Sequence, residues 1–407
     1  MTNIFDGLTI LEFGGGAAGP VATRYLADHG ATVIRVESKQ RPDFLRLLKF
    51  VPGQAGGLDA AEHFGVLNAN KRSVAINLSD PRGVALAKRL ALWADCIAEN
   101  FAPGAMKKWG LDYASLVRER PDLVMISTCL NGQTGPERFY PGFGGQGSAL
   151  SGFNHLTGWP DREPVGPYGT ITDSLSPRYA AFLLASALWH RTRTGEGQYI
   201  DLSQVEGGIV CLSESLVGFA ATDDVLVRMG NRSRHAAPHG VFRCRDHADG
   251  RERWLALAIH DDPDWAALVE CLGCPAWATA AELGTSAGRL ARVDEIEAQL
   301  TTWTAAHDAR DLATRLQAVG LDAAPVNDLG DLHDDGQLLH RGHFTTVEHA
   351  VLGHHPAERH AIRFSDTPPT IRKAAPLLGE DTAWVLREQL GMSANEYQTL
   401  LDAAVLS

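Results

Sequence analysis

Residues Leu8–Glu37 read LTILEFGGGAAGPVATRYLADHGATVIRVE. A strand-like run, Leu8 to Phe13, leads into Gly14, Gly16 and Gly19, which together spell G-x-G-x-x-G. A helix-like run, Pro20 to Asp28, follows, and a second strand-like run ends at the acidic Glu37. On paper this is a dinucleotide-binding fingerprint: glycines for the tight turn, backbone N–H groups at a helix start for phosphate, and an acid for ribose. The spacing alone fits two other readings equally well. One is a tight strand-to-helix turn with no ligand. The other is a floor made small by Ala17, Ala18 and Gly19 to take a bulky thioester or a close-packed subunit.

Outward from this stretch, the first 130 residues alternate strand and helix signals. LTILEF, TVIRVE, SVAINL, DCIAEN and LVMIST are short apolar runs, and DPRGVALAKRLALWA and DYASLVRERP lie between them. Such alternation predicts βαβ units, a parallel sheet and an α/β fold. In the longer helix Val84, Leu86, Ala87, Leu90 and Trp93 approximate one stripe, with Asp80 as N-cap and Pro81 in the first turn. Residues 132–173 are crowded with glycine, proline and aromatics and read as a long functional loop. A strong helix is expected from Ser176, with Pro177 in its first turn and Gly195 as its stop, then the strand QYIDLSQ and a helix through Glu206 to Phe219. HGVFRCRD and RWLALAI read as paired strands opening a smaller α+β module. The predicted organisation is a large domain, 1–205 with 330–407, a linker at 206–229 and a small domain at 230–329.

The chain has 407 residues, 44% of them hydrophobic and 21% charged, which is the composition of an ordinary soluble globular protein. No apolar run approaches ~18 residues, and MTNIFDGL lacks the basic start and apolar core of a signal peptide. A cytoplasmic protein away from membranes is expected. Net charge is −12, which argues against nucleic acid as a partner. Residues 1–110 nevertheless hold 13 Lys and Arg against 10 Asp and Glu, a balance of +3, so the remainder carries −15. A relatively basic first quarter suits a small polyanion. The six cysteines form no disulfide framework, and Cys271 and Cys274 in CLGC have no second pair at zinc-ligand spacing. GHHPAERH, near the C-terminus, reads as a solvated loop, and no metal site is expected.

Two basic turns stand at the ends of neighbouring strand units: Asn70, Lys71 and Arg72 in NANKRSVAINL, and Lys107 and Lys108 in ENFAPGAMKKWG. Open α/β sheets take ligands at such ends, so the pair points to a phosphate-rich ligand. Asp173, in PYGTITDSLSPRYA, lies just ahead of a helix start and among uncharged neighbours. Most acids so placed are caps. An ionised, accessible one is also a nucleophile.

These pieces together resemble one family across nearly the whole chain. GLTILEFGGGAAGPVATRYLADHGATVIRVE, NANKRSVAINL, ENFAPGAMKKWGLDYASL, GTITDSLSPRYAAFLLASALWHRTRTGEGQYIDLS, GNRSRHAAPHG, GLDAAPVNDLGDLHDD and AAPLLGEDTAWVLREQLGMSANE occur in the order found in class III CoA-transferases. That group includes formyl-CoA and carnitine CoA-transferases and α-methylacyl-CoA racemase. The resemblance implies a Rossmann-like large domain whose glycine turn serves coenzyme A, supplied as acyl-CoA, with neither NAD nor metal. It implies that Asp173 is the catalytic residue. It also implies that Ala17, Ala18, Ser38, Lys39, Asn70, Lys71, Arg72, Asn100, Phe101, Lys108 and the Asn131–Gly132 turn lie in segments that contact CoA. Some family transferases carry Gln where this chain has Ala17, and some carry Arg where it has Ser38, with Lys39 and Arg41 close by.

The implied chemistry is exchange of CoA between an acyl-CoA, succinyl-CoA being the favoured donor, and a free carboxylic acid. It runs through an aspartyl anhydride and an aspartyl-CoA thioester. The nearest rival is racemisation of a 2-methylacyl-CoA, for which family racemases place a His after the glycine of a segment like YPGFGGQGSALSG. Here Phe143 takes that place and His155 lies further on. A hydride-transferring NAD enzyme is the distant third. The resemblance also implies an interlocked dimer, either of one chain or with a paralogous subunit.

Overall fold

The computed structural model describes residues 3–49, 55–168 and 170–407. They divide into two compact units, one of residues 1–155, 165–226 and 337–407, the other of 156–164 and 227–336.

The first unit is built on a six-stranded parallel sheet. Its strands are β1 (Thr9–Phe13), β2 (Thr32–Glu37), β3 (Arg72–Ala75), β4 (Cys96–Glu99), β5 (Val124–Cys129) and β6 (Gln198–Ser203). They run in the order β3-β2-β1-β4-β5-β6, so the winding reverses between β1 and β4. In open sheets of this order a crevice forms at that point, outside the carboxyl ends of the strands. Side chains on a strand alternate faces, and here both faces are apolar. Ile10, Val33, Ala98 and Ile126 pack with Ala22 and Leu26 of α1 (Ala18–Asp28) and with Leu184 and Leu188 of a long helix described below. Leu11, Ile34, Ile97 and Met125 pack on the other side with Leu86 and Leu90 of α2 (Pro81–Trp93) and with Val385 and Leu386. Burial on both faces is why these strands read as unbroken apolar runs. Asp80 caps α2 through the N–H of Arg82, with Pro81 in the first turn.

Three stretches depart from the sequence reading. Residues 132–173 contain a short helix, α3 (Gly144–Leu150), preceding the long α4 (Ile171–Thr194). α4 starts before Ser176, so Ser176 and Pro177 lie inside it and Asp173 sits in its first turn. The 206–229 stretch holds most of α5 (Gln204–Val210) and all of α6 (Ser213–Thr222), and it belongs to the first unit as far as Leu226. GHHPAE is a strand, Gly353–Glu358, paired antiparallel with Phe344–His349. Among the described residues no group of His, Cys, Asp and Glu is placed to hold a metal ion. No single described helix is long and apolar enough to cross a membrane, although α5 and α6, bent by 68° at their junction, pass that test jointly.

The second unit is a three-stranded antiparallel sheet, β7 (His239–Arg243), β8 (Trp254–Ala258) and β9 (Asp322–Pro325), with β8 central. HGVFRCRD and RWLALAI therefore pair as their patterns predict. Helices covering Asp262–Cys271, Val293–Thr304 and Ala309–Ala318 close its core around Leu255, Leu257, Leu300 and Leu312.

Candidate active site

Gly14 and Gly16 both have positive φ, +109° and +74°, so the turn after β1 needs glycine there. The N–H groups of Gly15 and Gly16, however, are occupied from within the chain. Asn100 accepts from Gly15 N at 3.1 Å and donates to Gly15 O at 2.6 Å. The carboxylate of Asp43 accepts from Gly16 N at 3.1 Å and from Leu45 N at 3.0 Å. An anion thus already sits at the turn where a pyrophosphate would be expected. Glu37 is likewise engaged: both of its oxygens are held by Arg46, and one also by Ser73 Oγ. Two N–H groups of the turn and the acid that ends β2 are thus engaged in the protein's own packing.

Beneath the turn lies a buried charge cluster. Arg35 pairs with Glu12 and Asp43, and Lys71 Nζ bonds Glu12 at 2.7 Å, the Pro20 carbonyl at 2.7 Å and Asn68 at 2.9 Å. Burial pulls the Lys71 ammonium down to about 8, against the opposing pull of Glu12. Lys71 is fully buried, which corrects its assignment to CoA: it braces the first helix from inside. Asn70 and Arg72 are half-buried and make contacts within the chain. Asn70 ties Asp28 to the backbone of Thr370, Arg372 and Lys373. Arg72 pairs with Asp381 at 2.7 Å and lies over the Trp384 ring. Asn100 holds the turn through both polar groups of Gly15.

A cavity of 670 Å³ opens at the carboxyl ends of β1 to β4, a volume typical of small-molecule sites. Its walls include Ser38, Arg41, Phe44, Phe101, Lys108 and Trp109. Phe101 and Trp109 meet edge to face at 5.6 Å. Arg41 and Lys108 make no ion pair among the described residues, so two cations face this cavity uncompensated. Lys39 is exposed and not on the wall, and Ala17 and Ala18 begin the first helix, Ala18 buried. Asn131 donates to Glu137 O at 3.1 Å, and Gly132 turns at φ +78°, both outside this cavity. A second cavity, 610 Å³, lies beside it over β4, β5 and β6. On its wall burial lifts the Glu99 carboxyl to about 7. A larger one, 1030 Å³, opens beside Leu8 at the start of β1, away from these strand ends.

Asp173 is half-buried. Its Oδ2 accepts from Gly144 N at 3.1 Å and its Oδ1 from Gln204 Nε2 at 3.2 Å. Burial raises the carboxyl above the usual aspartate range, and these two hydrogen bonds act in the opposite direction. No cation pairs with it among the described residues. The surroundings explain the glycines of the 142–147 segment. A Cβ on Gly144 would stand 2.4 Å from Asp173 Oδ2, and one on Gly147 would stand 2.4 Å from Thr172 Oγ1. Thr172 Oγ1 donates to Gly144 O at 3.1 Å, which fastens the start of α4 to α3. Phe143, just before Gly144, is 65% exposed and meets Phe44 of the cavity wall at 5.3 Å. This aromatic pair links the cavity to the carboxylate. Phe143 offers no acid or base where a racemase would need one. Gln204 was missed in the sequence because nothing in YIDLSQVEG sets it apart. The strand-to-helix switch after Ser203 was the available signal.

A half-buried carboxylate with two donors and no counter-cation suits a covalent nucleophile, and a cavity walled by Arg41 and Lys108 suits an anionic carrier. The model of CoA-transferase family III matches residues 5–382. The chain belongs to CoA-transferase family III. It is 31% identical over 403 residues to the succinyl-CoA–L-malate CoA-transferase beta subunit of Chloroflexus aurantiacus, covering 98% of this chain and 97% of that one. It is 32% identical over 385 residues to the succinate–glutarate CoA-transferase of Agrobacterium fabrum, covering 94% and 95%. A crystal structure of a CaiB/BaiF family protein from Brucella suis superposes with a TM-score of 0.86 at 30% identity, covering 96% of this chain and all of that one. As a family III member the protein is an enzyme of the CoA-transferase class, and coenzyme A is its substrate.

Proposed function

We propose that this CoA-transferase moves CoA from succinyl-CoA to a small carboxylic acid through covalent bonds to Asp173. The carboxylate held by Gly144 and Gln204 carries the proposal. Partial desolvation makes it a stronger nucleophile than a solvated aspartate, and the absence of a paired cation leaves its lone pairs available. The relatives named above act, by their names, on succinyl-CoA with malate, or on succinate and glutarate, which supports a succinyl donor and a dicarboxylic acceptor.

In this reading the large unit is Rossmann-like and takes the nucleotide end of CoA in the 670 Å³ cavity. Phe101 and Trp109 contact the base, and Arg41 and Lys108 neutralise phosphate, with Ser38 beside them. The pantetheine arm runs past Phe44 and Phe143 to Asp173. The carboxylate attacks the thioester to give a mixed anhydride and CoA thiolate. The thiolate then takes the aspartyl carbonyl and frees the donor acid, and the acceptor acid repeats both steps in reverse. The occupied glycine turn and Glu37 support a reading without nicotinamide. Some relatives are named as alpha and beta subunits, which supports an assembly of two chains, identical or paralogous.

Asp173→Ala is expected to abolish transfer while CoA still binds. Hydroxylamine added during turnover should convert the Asp173 carboxyl of the wild-type enzyme to a hydroxamate. Undiminished transfer by the variant, or a failure to mark position 173, would refute the proposal.

A further inference from the structure

The two donors on Asp173 come from two different helices, and Asp173 stands on a third. Gly144, whose N–H meets Oδ2, opens α3, and Gln204, whose amide meets Oδ1, opens α5. Asp173 lies in the first turn of α4, where Thr170 makes no side-chain cap. The residue just before the nucleophile joins all three. Thr172 is fully buried. Its Oγ1 donates to Gly144 O at 3.1 Å and occupies the space that a Cβ on Gly147 would need. Its Cγ2 faces α5, where a Cβ on Gly208 would stand 3.1 Å away. One small side chain thus puts its hydroxyl on the helix that supplies the first donor and its methyl group on the helix that supplies the second.

We propose that Thr172 is a positioning residue for the transfer reaction: its hydroxyl holds Gly144 so that the Gly144 N–H stays aimed at the Asp173 carboxylate. This rests on the covalent reading above. The other bonds around Gly144 do not do this work. Ser148 Oγ also donates to Gly144 O, at 2.8 Å, and Phe143 N donates to Gln146 Oε1 at 2.9 Å, but both bonds lie within the α3 segment and move with it. Ser151 Oγ donates to Val205 O at 3.1 Å, which ties the end of α3 to α5 and not to the nucleophile's helix. The Thr172 hydroxyl crosses from α4 to α3 at the residue that matters. A donor stabilises developing charge best when it is fixed before the charge appears. Here the same turn of backbone carries the carboxylate and the group that fixes its donor, so the two cannot drift apart. The methyl group, packed against Gly208, keeps the hydroxyl from turning away.

Two substitutions separate the hydroxyl from the rest of the side chain. Thr172→Val keeps the branched shape and the methyl group that faces Gly208 but removes the donor. Thr172→Ser keeps the donor. Transfer from succinyl-CoA to glutarate is measured across pH in both, with calorimetric CoA binding as the check that the cavity is intact. In Thr172→Val kcat should fall by about tenfold, the loss of one hydrogen bond, while the KM for succinyl-CoA and the affinity for CoA stay as in the wild type. Burial raises the Asp173 carboxyl and the Gly144 bond opposes it, so a loosened donor should also move the acid limb of kcat/KM to higher pH. Thr172→Ser should keep the wild-type limb and most of kcat. A limb left in place in Thr172→Val, whatever its kcat, or a limb moved as far in Thr172→Ser, would overturn the positioning role. Neither result touches the covalent reading while hydroxylamine still marks position 173 in the wild-type enzyme. No mark there would overturn both.

Discussion

Two glycine-rich segments of the same unit, Gly14–Gly16 and Gly142–Gly147, use their backbone N–H groups in opposite ways. At the first, Asp43 and Asn100 fold back from distant positions and satisfy the N–H groups of Gly15 and Gly16. The glycines serve close packing: a Cβ on Gly14 would stand 1.8 Å from Asn100 Oδ1. At the second, the Gly144 N–H is aimed at the Asp173 carboxylate, the proposed nucleophile. Glycine spacing records where backbone must come close to something. It does not record whether that something is the protein or its substrate. The partner of each N–H decides, and the partner lies far away in sequence.

The sharpest way to break this contrast is Asp43→Ala. It removes the acceptor for two N–H groups and takes one of three carboxylate partners, Asp43 beside Glu12 and Glu37, from the buried Arg35. Breaking a buried pair costs about 3–5 kcal/mol, so thermal or urea unfolding should show a large loss of stability. An unchanged midpoint would mean the turn does not depend on its internal anion. Gly144→Ala comes next. Its Cβ cannot coexist with Asp173 where it stands, and transfer should fall by about 100-fold to 1000-fold, the effect of losing one fixed donor, while calorimetric CoA binding persists. A variant with near-normal kcat would detach the second segment from the chemistry. Lys108→Ala should weaken CoA binding by about tenfold without moving the unfolding midpoint, the reverse of the loss expected from Lys71→Met, whose ammonium is internal. The smallest effect is on pH. The nucleophile works ionised, and burial raises its pKa. Activity should therefore fall as pH drops through a limb above the ordinary aspartate range, and a kcat/KM profile with no such limb would contradict the partial burial.

The sheet was legible because it is covered on both faces. Five strands announce themselves as apolar runs, and the α2 cap at Asp80 and Pro81 is local chemistry that any sequence displays. The start of α4 was misplaced for the opposite reason. Ser176 and Pro177 look like a cap and a first turn. The helix instead begins at Ile171, where Thr170 makes no side-chain cap and the first turn is secured by Thr172 against Gly144. Tertiary contacts outweighed the local signal, and Asp173 moved from a loop into a helix with them. The basic residues show the same limit. Lys71 leads into β3 and Lys108 follows the turn after β4, yet one ends inside the protein and the other on a cavity wall. Only the residues facing them, Glu12 in one case and an open crevice in the other, tell them apart.

The cluster under the first turn has an electrical consequence. Glu12, Glu37 and Asp43 are matched one for one by Arg35, Arg46 and Lys71, all buried. Equal and opposite charges a few ångströms apart produce a field that fades quickly with distance. The floor beneath the cavity is therefore nearly silent to an approaching polyanion. In the proposed reading, what draws the carrier in is left to Arg41 and Lys108, which stand in reach of dissolved salt, so capture of the carrier should weaken as ionic strength rises while the foundation beneath stays unmoved.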